Sequence, residues 1–247
     1  MTALREHVET VRLVDHHVHG CWLERPDRPR FENALNEANT EPLADFDSAF
    51  DTQLGFAVRA HCAPHIGLDR HAAADAYWAQ RSSIPERELA QGFLFAAQVS
   101  DWVVDTGFAG GVADLDQLAG LGVGRVHEVV RLETVAEEAA ATPGDYAAAF
   151  DAALWEHSRT AAGTKSVLAY RGGFVGDLSD PSPAEVADAA ARWREAGGTR
   201  LTDRVLLRFG LHRALRLGKP LQFHVGFGDR DCDLHAANPV HLLDFLR

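Results

Sequence analysis

Cysteine is scarce in this chain: Cys21, Cys62 and Cys232 are scattered and odd in number. That set argues against a disulfide framework and fits a reducing compartment, and no two of the three stand at the short spacing of a zinc knuckle. Long apolar runs are also missing; none approaches the ~20 residues that a membrane span requires. Basic residues are outnumbered, with 24 Lys and Arg against 36 Asp and Glu and a net charge of −12. An acidic surface repels phosphate backbones, so neither nucleic acid nor membrane is an expected partner. A local field inside a cleft can still favour a small anionic substrate. The segment from Met1 to Glu9 is charged and reads as a helix start. It lacks the apolar stretch and small-residue cleavage site of a secretory leader, so the expected location is cytoplasmic. Internal repeats, low-complexity tracts and interdomain linkers are absent.

What is present suits one large domain over residues 1–247, with 46% hydrophobic and 24% charged residues among 247. Five short segments, β-branched or aromatic, read as buried strands: Val11 to His19, Trp102 to Thr106, Val126 to Arg131, Ser166 to Arg171, and Leu221 to Val225. Between them lie helical stretches. Tyr146 to Thr160 is Ala-rich. Ser182-Pro183 supplies an N-cap and a first-position proline for a helix ending at Gly197-Gly198. Leu201 to Leu217 stops at Gly218, and a last helix is expected over Val240 to Arg247. Strands alternating with helices of this length imply a parallel sheet of βαβ units. The stretch from Cys21 to Gln98 reads as a largely helical insertion after the first strand, a lid or an oligomer contact.

Asp15-His16-His17-Val18-His19 is the most informative stretch. Side chains alternate on a strand, so Asp15, His17 and His19 share one side and His16 faces the other. Two imidazoles at a strand's C-terminal end can hold one divalent ion at about 2.0–2.1 Å per nitrogen. Asp15 can orient a ring or serve the core one pleat deeper. His224 ends the fifth strand, at the edge where parallel α/β barrels gather their functional groups, and could be a third ligand.

Together with Arg131-Leu132-Glu133, Lys165 to Arg171 and Leu221 to Asp229, this pattern resembles the amidohydrolase superfamily. The branch it resembles includes members that can precede a glutamine-synthetase-like domain. The likeness runs from Val14 to Leu246. It implies a (β/α)₈ TIM-barrel of which this chain carries about the first five β/α units. It also implies one or two divalent ions, zinc by expectation, with His17, His19 and His224 as ligands. The activity implied is hydrolysis at a C–N or related carbonyl bond of a small substrate. Two alternatives stay open: a metal-dependent decarboxylase or lyase on the same barrel, and a non-catalytic fragment or subunit completed by a partner or a further copy.

Two departures from the family pattern stand out. A bridging carboxylated lysine is expected at the end of the fourth strand, whereas Lys165 reads as the start of that strand, on the stability face. The sixth-strand His and the eighth-strand Asp that serves as general base have no counterpart, so no catalytic residue is assigned.

Among secondary candidates, Arg131, Glu133 and Arg171 flank strand ends and could bind a substrate carboxylate. For Arg131 and Glu133, an ordinary ion pair is an equal alternative. Asp105 could hydrogen-bond a metal ligand or shape its turn. Asp229, Asp231 and Asp233 resemble a calcium-loop fragment without its distal glutamate and read as a solvated loop. His61 and His65 have the spacing of a helical metal pair but are interrupted by Pro64, and His127 reads as packed in mid-strand.

Overall fold

The computed structural model describes residues 2–36, 41, 43–44, 48–108, 110–197, 199–226 and 232–247. The chain divides into two compact units. The first holds Met1–Val104 and Ala109–His127; the second holds Asp105–Phe108 and Glu128–Arg247.

The first unit opens with α1 (Thr2–Thr10) and β1 (Leu13–Val18). Four helices follow: α2 (Arg28–Ala34), α3 (Gln53–His61), α4 (Ala74–Ser83) and α5 (Glu86–Ala96). Strand β2 (Val99–Asp105), helix α6 (Leu115–Ala119) and the start of β3 (Arg125–Arg131) complete it. The segment expected to be helical is so, and it has a core of its own in which Phe50, Ile66, Tyr77 and Leu89 are buried. A buried Arg81–Glu86 ion pair closes that core, with the guanidinium 4.6 Å from the centre of the Phe31 ring. Helix α3 ends at His61, and Pro64 starts a separate 3₁₀ turn carrying His65, so the two histidines share no helix face. A second cluster, around Trp102, Val104, Leu118 and Leu121, packs β2 against α6.

Strand β1 pairs in parallel with β2. It departs from the buried strand expected, since Leu13 and Val14 are 50% and 60% exposed. His127 likewise differs from a packed core histidine. Its ring is half exposed, and Nε2 lies 2.8 Å from the carboxylate of Asp101, which Arg125 also holds.

In the second unit, α7 (Leu132–Ala141) and α8 (Tyr146–Ser158) lead to β4 (Gly163–Ser166). Then come α9 (Pro183–Glu195), α10 (Arg204–Arg216) and β5 (Leu221–Phe223). The Ser182 cap forms a reciprocal capping box with Glu185, as the Ser-Pro-x-Glu spelling requires. Asp145 and Asp203 cap α8 and α10 through backbone N–H groups of their first turns. One large core joins these elements, with Phe150, Leu168, Phe174, Ala189, Leu206 and Leu211 sealed inside. The expected C-terminal helix is reduced to a 3₁₀ turn, Pro239–Leu242.

Strands β3, β4 and β5 pair in parallel, and the sheet order is β1-β2-β3-β4-β5. Five parallel strands laid down in sequence order, with helices between them, fit successive βα units. The fourth strand lies earlier than the apolar run suggested. Val167 to Tyr170 was the attractive strand sequence, yet Leu168–Arg171 is a 3₁₀ turn and the strand is Gly163-Thr164-Lys165-Ser166. Gly163 allows this shift, because a Cβ there would lie 2.6 Å from the carbonyl oxygen of Pro220 at the entry to β5.

Candidate functional site

The first unit supplies the imidazole pair. Along β1, Asp15 and His17 are half-buried while His16 is exposed, and His19, just past the strand, is again half-buried. Val18 is half-buried as well, and the β1–β2 register shifts between Asp15 and Val18, so the expected strict alternation does not run through the stretch. The rings of His17 and His19 lie edge to face, with centroids 5.3 Å apart and planes at 79°. With nitrogens about 2.0–2.1 Å from a zinc-class ion, two imidazoles at a tetrahedral angle have centroids roughly 5 Å apart. The pair thus fits two neighbouring positions around one cation. Asp15 Oδ1 accepts the backbone N–H of His17 at 3.1 Å, so this carboxylate braces the strand that presents both rings.

The second unit carries His224 and a buried charge cluster. His224 follows β5 directly, and its backbone N–H donates to the Ser166 carbonyl at 2.9 Å, extending the β4–β5 pairing by one residue. Its ring stacks on Tyr170, with centroids 5.0 Å apart and planes at 29°. By sequence Tyr170 reads as a strand residue; the 3₁₀ turn is what brings it beside the histidine.

Register places Arg131, Lys165 and Gln222 level across β3, β4 and β5. Lys165 is therefore in the C-terminal half of its strand, and the expectation that it starts the strand on the stability face is corrected. Asp105, the last residue of β2, receives both cations. Arg131 donates through Nε at 3.1 Å and Nη2 at 2.6 Å to Oδ2, and Lys165 Nζ lies 2.8 Å from the same oxygen. The Asp105 and Lys165 side chains are 0% and 1% exposed. Burial works to raise the Asp105 carboxyl, but hydrogen bonds from Arg131 and then Lys165 hold it below the usual carboxylate range. Burial pulls the Lys165 ammonium below its usual range; Asp105 opposes this, and the shared neighbour Arg131 adds to it. Asp105 Oδ1 also accepts the Gly107 N–H at 2.9 Å, so the residue shapes its turn as well.

Glu133 flanks the end of β3 as expected, whereas Arg171 lies beyond the end of β4. Glu133 is in the first turn of α7, 2% exposed, and Oε1 accepts from the Ser166 hydroxyl at 2.7 Å and the Val167 N–H at 3.0 Å. It ties down the chain immediately after Lys165. Burial pushes its carboxyl up, against those two hydrogen bonds. Arg171 ends the 3₁₀ turn, with Nη2 3.7 Å from Glu137. Its Nε and Nη1 are buried without a hydrogen-bond partner among the described residues, and burial disfavours its charge. Arg131 forms its ion pair with Asp105 rather than with Glu133.

Asp229 and Asp231 lie outside the described residues. Asp233 caps a turn, accepting the N–H groups of His235 and Ala236. Among the described residues, no three His, Cys, Asp or Glu side chains form a ready-made metal cluster, and no helix is long and apolar enough to cross a membrane.

No protein-family model matches the chain, and no curated protein matches it. Among solved structures, it is similar to a provisionally assigned metal-dependent hydrolase from Lactobacillus casei ATCC 334, with 29% identity and a TM-score of 0.75. The match covers 98% of this chain and 65% of that one, so this chain spans less than two thirds of the length of the protein it resembles.

Proposed function

We propose that this chain is a large part of a metal-dependent hydrolase of amidohydrolase type, in which His17, His19 and His224 hold a divalent ion of the zinc class. The carrying observation is the edge-to-face His17–His19 pair, with ring centroids 5.3 Å apart at the end of β1. The likeness to the Lactobacillus casei protein supports the same reading at the level of metal-dependent hydrolysis. Five sequential parallel strands suit the leading part of an eight-stranded barrel.

When bound, such an ion polarises a carbonyl and lowers the pKa of its water toward ~7. The chain's own residues hold the frame for that chemistry. Asp15 fixes the backbone of β1 where it enters His17. Tyr170 sets the plane of the His224 ring. Glu133 anchors Ser166 and Val167, and so fixes the strand end that carries Lys165. Lys165 occupies the part of β4 where the resemblance implies a carboxylated lysine. Arg171, with two unpartnered buried donors, is the residue best suited to take a substrate carboxylate. The substrate is then a small acyl compound bearing a carboxylate, hydrolysed at a C–N bond.

Cobalt(II) titration of the purified protein, followed by visible absorption, tests the ligand assignment. The expected result is a saturable d–d spectrum that weakens by at least about tenfold in affinity for His17→Ala, His19→Ala and His224→Ala. Equal affinity in the parent and in all three variants would overturn it. Hydrolysis of N-acyl amino acids by the cobalt-loaded protein, with release of the free amine, then distinguishes hydrolysis from decarboxylation.

A further inference from the structure

The second unit contains a groove of about 400 Å³ that the hydrolase reading does not use. It runs beside α9, between the start of α8 and the outer face of α10. Its size falls in the usual range for small-molecule sites. Ala187, Ala190 and Ala191 leave one wall without bulk, and Phe209, 3% exposed, supplies an aromatic surface. The space is thus shaped for an apolar body.

The polar groups around it are unevenly satisfied. Asp145 caps α8, Asp180 pairs with Arg216 at 2.5 Å, and Arg194 donates to the carbonyls of Ala139, Ala140, Thr142 and Gly144. Arg213 is different. Its guanidinium lies 4.8 Å from the Phe209 ring centre, and Nε is 3.1 Å from Asp151 without hydrogen-bond alignment. Its side chain is 26% exposed, which leaves the two terminal nitrogens open at the groove. The hydroxyl of Tyr146, another lining residue and 4% exposed, is buried with no hydrogen-bond partner among the described residues. A buried hydroxyl without a partner costs free energy, whereas the Arg213 fork, on a side chain 26% exposed, is open to water that a ligand would replace. Three guanidiniums line the groove, with Asp145 and Asp180 in the lining and Asp151 beside Arg213.

We propose that this groove binds a small amphiphilic carboxylate, its hydrocarbon or aromatic body along Ala187, Ala190, Ala191 and Phe209 and its carboxylate held by Arg213 with the Tyr146 hydroxyl. None of its lining residues is a proposed metal ligand, and its test is independent of them.

Isothermal titration with octanoate, octanol and octylamine reads the three elements of the claim: chain, charge and sign. Octanoate should bind about tenfold or more tightly than either of the others, the ratio expected of one charge-assisted hydrogen bond. Ala187→Trp, which fills the groove from an exposed position, should abolish binding while circular dichroism and Tm stay at parent values. Arg213→Gln should weaken octanoate by about tenfold and leave octanol unchanged. Tyr146→Phe should weaken octanoate without lowering Tm, since the hydroxyl has no internal partner to lose. The proposal is overturned by octanoate failing to bind at millimolar concentration, by octanol matching it, or by a folded Ala187→Trp variant binding as the parent does. If Ala187→Trp unfolds, Ala191→Leu at the same wall decides by the same criterion.

Discussion

Lys165 Nζ lies 2.8 Å from Asp105 Oδ2, and Arg131 holds the same carboxylate from the neighbouring strand. One buried anion therefore serves two cations, and the three residues are not equivalent. Asp105→Asn leaves two buried positive charges without compensation and should cost about 3–5 kcal/mol. Lys165→Met leaves Asp105 with its two-point Arg131 contact and removes an ammonium whose burial is unfavourable. Its cost should stay below about 1 kcal/mol, or become a gain. Urea denaturation of the two variants checks this order, and equal losses would show that Lys165 is essential to the cluster.

The same cluster has a pH signature. Asp105 titrates below its unfolded value, so its stabilisation is complete above the ordinary carboxylate range, near ~4, and is lost as pH falls through its lower folded value. Stability of the parent should therefore fall more steeply below pH ~4 than that of Asp105→Asn, which has no such group to protonate. Parallel curves would contradict the assignment.

Glu133 should show the opposite sign. Burial raises its carboxyl, so the folded state holds its proton more tightly than the unfolded chain, which titrates near ~4.3. Parent stability relative to Glu133→Gln should decline as pH rises from ~4.3 to the higher folded value, then level off. Glu133→Ala, which also strands the Ser166 hydroxyl and Val167 N–H, should cost a further ~1–3 kcal/mol at any pH. Chemical denaturation at a series of pH values separates the two effects.

Metal affinity should fall as pH is lowered, because protons compete for the imidazole nitrogens. Under the proposed ligand set, two or more protons should be released per ion bound in the acidic range, and His17→Ala should reduce that number by about one. Calorimetry in buffers of different ionisation enthalpy measures this directly.

Ser182→Ala serves as a control outside the proposed metal-ligand set. It removes one half of the α9 capping box and should cost about 1 kcal/mol while leaving cobalt binding unchanged.

Local chemistry was legible in the order of residues. The Ser182-Pro183 start, the Gly218 stop and the Pro64 break after His61 each follow from interactions within a few residues, and each stands in the structure. Tertiary contacts decided the rest. The fourth strand shifted toward Gly163–Ser166 because only a glycine fits against Pro220, which outweighed the greater strand propensity of Val167 to Tyr170. That shift moved Lys165 beside Asp105, turned Tyr170 onto His224 and gave Ser166 and Val167 to Glu133. None of these pairings is local in sequence, and their energy comes from burial that a one-dimensional pattern does not display.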